Sequence, residues 1–145
     1  METQSEIQSR SEIASENAME RFIRKTRKLF AQESDLDKRW NALRPILAEL
    51  LADREVIAAS KRWPDCVPAN GRAENLLFYE DPDYGFAING LTKGEARHGQ
   101  RARIHDHAHI YTLYGVLDGR ERVIRYDRVD DRSQPNYAEI REASD

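Results

Sequence analysis

The pattern of apolar residues changes near the middle of the chain, from helical spacing to strand-like alternation. Before residue 64 the apolar side chains recur at the spacing that is typical of amphipathic helices. After Asn70-Gly71, a turn signal, short runs of apolar and polar residues are separated by glycine and aspartate, as in β-hairpins. Helices followed by antiparallel hairpins favour a helical cap on a β-sandwich or barrel.

Three helices are predicted in the first half of the chain. The first begins near Ala14, the second follows Asp35 as its N-cap, and the third covers 53–63. Pro45 lies inside the second helix, which predicts either a kink or two short helices at that point.

The second half is predicted to consist of strands joined by tight turns. Asp118-Gly119 is a strong hairpin signal, and Asp81-Pro82-Asp83 predicts a second turn. The predicted strands are 74–80, 84–90, 101–107, 110–117, 120–128 and 136–142. Within one domain we therefore expect a disordered tail over 1–12, a helical cap over 13–68 and a β-barrel over 69–145.

Charge and composition argue against several classes of function. The net charge of −3 is spread over both signs, so no basic face predicts binding to nucleic acid. No apolar run is long enough to cross a membrane, and the polar N-terminus has no signal core, which favours a cytoplasmic location. Cys66 is the single cysteine, so no disulfide forms within the chain.

Three of the four histidines lie within residues 105–109. Alternate side chains of a strand share a face, so His105 and His107 are predicted to point the same way and Asp106 the other way. Two imidazoles on one face can converge on a divalent metal ion. The alternative is that both are surface or hydrogen-bonded strand residues without a metal.

The spacing around the histidine pair carries a family resemblance. Gly99, His105, His107, Thr112 and Gly119 follow the order and distances G-x5-H-x-H-x4-T-x6-G. This closely resembles the first signature motif of the cupin superfamily, which has a glutamate where this chain has Thr112. The resemblance implies a mainly β protein with N-terminal helices, built on a cupin-type antiparallel β-barrel (jelly roll), and a homodimer.

The presence of Thr112 in place of the family's glutamate narrows the resemblance to one branch of the superfamily. Members of the cysteine dioxygenase-like branch also lack the glutamate and hold iron with three histidines. A weaker resemblance, from the overall residue pattern of 74–88 upstream of the histidines, is to small cupins of the 4-hydroxylaminobenzoate lyase type. The metal implied by the family is iron(II), Fe²⁺, although imidazole ligands equally suit other divalent transition metals.

The third metal ligand is left open by the sequence, because no histidine follows His109. One alternative is that the chain stops before the second motif, which would leave the barrel incomplete at the C-terminus. Another is that His109, or less plausibly His98, completes the site. A third is a vestigial site that binds metal weakly or not at all.

The alternation of side chains along a strand also identifies candidate substrate-binding and catalytic residues. Arg101 and Arg103 share the face of His105 and His107, where an arginine can pair with a substrate carboxylate. If Thr112 occupies the family's glutamate position, Thr112 and Tyr114 face the pocket and are catalytic candidates, and the neighbouring Tyr111 is a candidate substrate contact. The alternatives are arginines that extend into water and a tyrosine that belongs to the core.

The sequence therefore leaves three alternative functions. The first is a non-haem iron(II) oxygenase acting on a small, anionic, carboxylate-bearing thiol or aromatic substrate. The second is a metal-dependent lyase of the 4-hydroxylaminobenzoate lyase type, and the third is a cupin-like domain that binds a small molecule or partner without catalysis. The matched histidine pair with its flanking glycines favours an enzyme.

Overall fold

The computed structural model describes residues 16–66, 75–93, 103–107 and 109–144. These residues form three helices and four short strands. The elements are α1 (Ala18–Gln32), α2 (Leu36–Leu51), α3 (Arg54–Ser60), β1 (Leu76–Glu80), β2 (Ala87–Gly90), β3 (Tyr126–Arg128) and β4 (Ile140–Glu142). None of the helices in the described ranges is both long enough and apolar enough to cross a membrane.

Each helix begins at a side chain that accepts hydrogen bonds from the free N–H groups of the first turn. Asn17 and Glu20 form a capping box at the start of α1. Asp35 accepts from the Lys38 N–H at the start of α2, and Asp53 accepts from two N–H groups at the start of α3. The second and third predicted helices are therefore confirmed, including Asp35 as the N-cap.

The helix α2 continues through Pro45 as one element. Proline removes a helical hydrogen bond and crowds the preceding turn, a cost of roughly 3 kcal/mol in a helix interior. Burial of Leu43 and Leu50 on either side of it offsets this cost, because both belong to the core shared with α1. The alternative of two short helices is therefore wrong.

The core lies between α1, α2 and the β1–β2 hairpin. Its buried members are Phe22 and Phe30 of α1 and Leu43 and Leu50 of α2. The ring of Phe86, next to β2, packs edge-on against Phe30 with 5.3 Å between centroids. The amphipathic stripes predicted for the first two helices thus meet each other and one face of a hairpin.

A buried carboxylate joins the hairpin to α1. The Asp81 side chain is fully buried and accepts hydrogen bonds from the N–H groups of Asp83 and Tyr84 and from the Tyr79 hydroxyl at 2.9 Å. The Arg27 guanidinium of α1 donates to the same carboxylate at 2.5 Å. The predicted turn at Asp81-Pro82-Asp83 is confirmed, and it is held by contacts within and beyond the hairpin.

The predicted jelly-roll barrel is wrong. The described strands form two separate two-stranded sheets, β1–β2 and β3–β4, and neither sheet closes. Residues 103–107 and 110–117 lie in the described part of the chain but form no strand. The predicted strands 120–128 and 136–142 are strands only over the last part of each, in β3 and β4.

The 109–119 segment packs on the helices instead of on a neighbouring strand. Tyr111 stacks on Trp40 of α2, Leu113 packs against the core, and Gly115 lies against Leu51. At the end of the segment Asp118 pairs with Lys61, which follows α3. The turn at Asp118-Gly119 is therefore tied to a helix rather than to a hairpin partner, and this replaces the predicted pairing of 110–117 with 120–128.

The 109–119 segment keeps a strand-like alternation of its side chains. Tyr111 and Leu113 face the helices, whereas Ile110 and Tyr114 are each 65% exposed and face outward with Val116. An extended backbone with a period of two presents alternate residues to opposite sides even without a paired strand. The outward side is the one that carries the candidate site.

Candidate functional site

The described part of the predicted site spans Arg103 to Tyr114. Arg101 and His98 lie outside the described residues. The side chains that the structure brings together are those of His105, His107, Thr112 and Tyr114. All four residues are exposed, so a ligand can reach them directly from solvent.

The ring of His105 is oriented by the backbone two residues earlier. Its Nδ1 lies 2.7 Å from the carbonyl oxygen of Arg103. A carbonyl oxygen can only accept, so Nδ1 carries the proton and donates it. In the neutral form of the ring the lone pair is then on Nε2, which is the arrangement of a metal-binding imidazole whose other nitrogen is fixed by a backbone carbonyl.

The ring of His107 has a hydroxyl group at each nitrogen. The Tyr114 hydroxyl lies 3.2 Å from Nε2, and the Thr112 hydroxyl lies 3.5 Å from Nδ1. One consistent assignment has Nδ1–H donating to Thr112 and the Tyr114 hydroxyl donating to Nε2. Thr112 and Tyr114 reach the same ring because both lie on the outward side of the 109–119 segment.

The two imidazoles lie at a separation that suits one shared ion. Their ring centroids are 5.2 Å apart, with 58° between the planes. Metal–nitrogen bonds of about 2.0–2.1 Å, at ordinary angles between ligands, place the centroids of two coordinated imidazoles about 5 Å apart. The observed pair is therefore close to the spacing that a common metal ion requires.

The described residues contain no group of three histidine, cysteine, aspartate or glutamate side chains that could hold a metal ion. His109 consequently does not join His105 and His107 in such a group. It stands in the turn closed by the hydrogen bond from the Ile110 N–H to the His107 carbonyl, at 2.9 Å. Any further protein ligand from the described residues must come from another chemical class.

Asp106 interacts electrostatically with Arg128, the last residue of β3. The pKa of Arg128 is raised mainly by Asp130, whose side chain accepts hydrogen bonds from the guanidinium, and further by the charge of Asp106. Asp130 has the larger effect of the two carboxylates.

The predicted substrate-binding residues divide into two groups. Arg103 is exposed, and none of the described carboxylates forms an ion pair with its guanidinium. Tyr111 is turned away from the histidines, since its ring is stacked on Trp40 with 5.7 Å between centroids. Arg103 therefore stays a candidate for binding an anion, whereas Tyr111 holds the segment on α2.

Two features of the site were not predicted from the sequence. The contact of Tyr114 with His107 follows from the turn at 107–110, whose conformation no local pattern fixed in advance. The support from Trp40 comes from a helix more than 60 residues away. The only signal for it was an aromatic residue on the apolar stripe of α2, which is equally typical of an ordinary core position.

Comparisons with known proteins identify no relative. No family model, no curated protein and no solved structure matches this chain.

Proposed function

We propose that His105 and His107 bind a divalent transition metal ion, and that the protein is a metal-dependent enzyme acting on a small carboxylate-bearing substrate. The reaction class is that of a non-haem iron(II) oxygenase, with a thiol or an aromatic compound as substrate. The observation that carries the proposal is the 5.2 Å pair of imidazoles, one of them oriented by the Arg103 carbonyl.

The residues around the pair supply orientation and binding for such a centre. Thr112 and the Arg103 carbonyl hold the two rings at their Nδ1 atoms, so each Nε2 is directed elsewhere. When bound, the metal would supply a Lewis acid and an open position for O2 or a substrate heteroatom. The exposed guanidinium of Arg103 would pair with the substrate carboxylate through two parallel hydrogen bonds.

A second candidate function is binding of a metal ion without catalysis. It is favoured by the exposure of His105, His107, Thr112 and Tyr114, because catalytic metal sites usually lie in clefts that exclude water. A protein of this kind would bind the ion but would consume no O2.

Oxygen uptake by the metal-loaded protein separates these functions. Protein without a histidine tag is purified anaerobically, loaded with Fe²⁺, and mixed with mercaptocarboxylates and hydroxybenzoates in an oxygen electrode. The enzyme hypothesis predicts substrate-dependent O2 consumption that is lost in His105→Ala and reduced in Arg103→Ala. Metal binding without consumption or product formation would support the non-catalytic function, whereas anaerobic turnover of a hydroxylaminobenzoate would support a lyase.

A further inference from the structure

The Tyr114 side chain lies beside the histidine pair and carries a phenol oxygen that can bind a metal ion. We propose that the Tyr114 hydroxyl oxygen is a direct ligand of the metal ion held by His105 and His107. This inference rests on the proposed metal site and extends it from two protein ligands to three.

The first support is the distance between the two donor atoms. Tyr114 Oη lies 3.2 Å from His107 Nε2. Two donor atoms bound to one metal at about 2.0–2.1 Å, at angles between octahedral and tetrahedral, lie about 2.8–3.4 Å apart. The observed separation falls within this range, and the ion would replace the hydrogen bond between Oη and Nε2.

The second support is the distinct position of Thr112, the other hydroxyl at the same ring. Its oxygen lies at Nδ1, the nitrogen on the far side of the imidazole from a metal bound at Nε2. Thr112 can therefore fix the rotation of the His107 ring but cannot share its ion through Nε2. The two hydroxyls consequently have separate roles, ligand for Tyr114 and positioning residue for Thr112.

The third support is that the backbone on both sides of Tyr114 is fixed to α2. Tyr111 stacks on Trp40, and Gly115 packs so closely that an added Cβ would lie 2.1 Å from a methyl group of Leu51. With its neighbours held against the helix, Tyr114 is directed outward beside the histidines. A ligand carried by a supported segment needs less ordering when the ion binds.

Charge gives the phenol a chemical reason to coordinate. Two neutral imidazoles leave the full charge of the ion uncompensated, and no described carboxylate completes the group. On binding, the phenol would lose its proton to solvent, and the resulting phenolate would lower the charge of the centre by one. A hard oxygen anion of this type favours ferric iron over softer metals.

A visible absorption band provides a direct test, since ferric iron bound to a phenolate gives a ligand-to-metal charge-transfer band. The tag-free full chain is titrated with ferric iron, alongside Tyr114→Phe and the matched control Tyr137→Phe, whose tyrosine is similarly exposed. We expect the band in the wild type and in Tyr137→Phe, and its loss in Tyr114→Phe. We also expect Tyr114→Phe to bind the ion at least tenfold more weakly while its circular dichroism is unchanged.

The outcomes separate failure of this inference from failure of the metal site. If the wild type binds iron through its histidines but shows no band, or if Tyr114→Phe keeps both band and affinity, Tyr114 is not a ligand and the two-histidine site stands. If the wild type binds no metal ion, both the proposed function and the assignment of Tyr114 as a ligand are contradicted. A Thr112→Val variant should keep the band, because only the orientation of His107 is affected.

Discussion

The ring of Trp40 lies nearly parallel to the ring of Tyr111, with 5.7 Å between centroids and 12° between planes. This stack joins α2 to the segment that carries Tyr114, and it crosses more than 60 residues of sequence. It explains how an extended segment without a strand partner in the described residues is held in place. The position of the candidate site therefore depends on a helix.

Removal of the stacked tyrosine should loosen the segment. Tyr111→Ala loses a half-exposed aromatic contact, for which we expect a decrease in the free energy of unfolding of about 1–2 kcal/mol. Urea denaturation followed by circular dichroism measures this change. Tyr137→Ala is the matched control, because Tyr137 is equally exposed but forms no ring contact with another described residue; equal effects of the two variants would argue against the stack.

The close approach of Gly115 to Leu51 should be sensitive to added volume. A Cβ at residue 115 would lie 2.1 Å from Leu51 Cδ1, so Gly115→Val must displace either the leucine or the segment. We expect a loss of about 1–3 kcal/mol in the free energy of unfolding. A double variant with Leu51→Ala should recover part of this loss, which a double-mutant cycle measures. Additive effects would contradict the contact.

Asp81 should make stability depend on pH in the acid range. Burial by itself would raise the pKa of Asp81, but hydrogen bonds from the Tyr84 N–H, the Tyr79 hydroxyl and the Arg27 guanidinium outweigh it and lower the pKa from 3.8 to about 2. Because the pKa is lower in the folded state, the carboxylate stabilises the fold above about pH 4. That stabilisation is lost as the pH falls from about 4 to 2.

Unfolding free energies measured between pH 6 and pH 2 test this assignment. In Asp81→Asn we expect lower stability at pH 6 and a shallower decrease toward pH 2 than in the wild type. Asp83→Asn serves as the control, since its carboxylate is mostly exposed although it also pairs with Arg27. A wild-type slope in Asp81→Asn would show that other carboxylates dominate the acid dependence.

Local patterns predicted much of the helical half and little of the arrangement of the other half. Asp35 and the apolar stripe after it were sufficient to predict α2, because capping and amphipathicity act within a few residues of the chain. The alternation of 110–117 predicted that Thr112 and Tyr114 share a face, and the structure places both hydroxyls at the ring of His107. A period of two fixes which residues share a face, but not which element covers that face.

The prediction of a β-barrel was wrong because the alternation does not identify the element that covers the apolar face. Leu113 and Tyr111 required an apolar partner, and the sequence favoured a strand, whereas the structure supplies Trp40 and the core beside it. The same limit applies to the site. The two-residue spacing predicted that His105 and His107 would lie on one side, but the approach of Tyr114 depends on a turn that spacing does not specify.

A metal titration of four proteins tests the histidine pair most directly. Tag-free wild type, His105→Ala, His107→Ala and His109→Ala are titrated with Zn²⁺ and Fe²⁺ by anaerobic calorimetry. We expect one ion per chain in the wild type, at least a 100-fold weaker affinity in His105→Ala and in His107→Ala, and an unchanged affinity in His109→Ala. Binding to His105→Ala and His107→Ala at the wild-type affinity would contradict a metal site at these two residues.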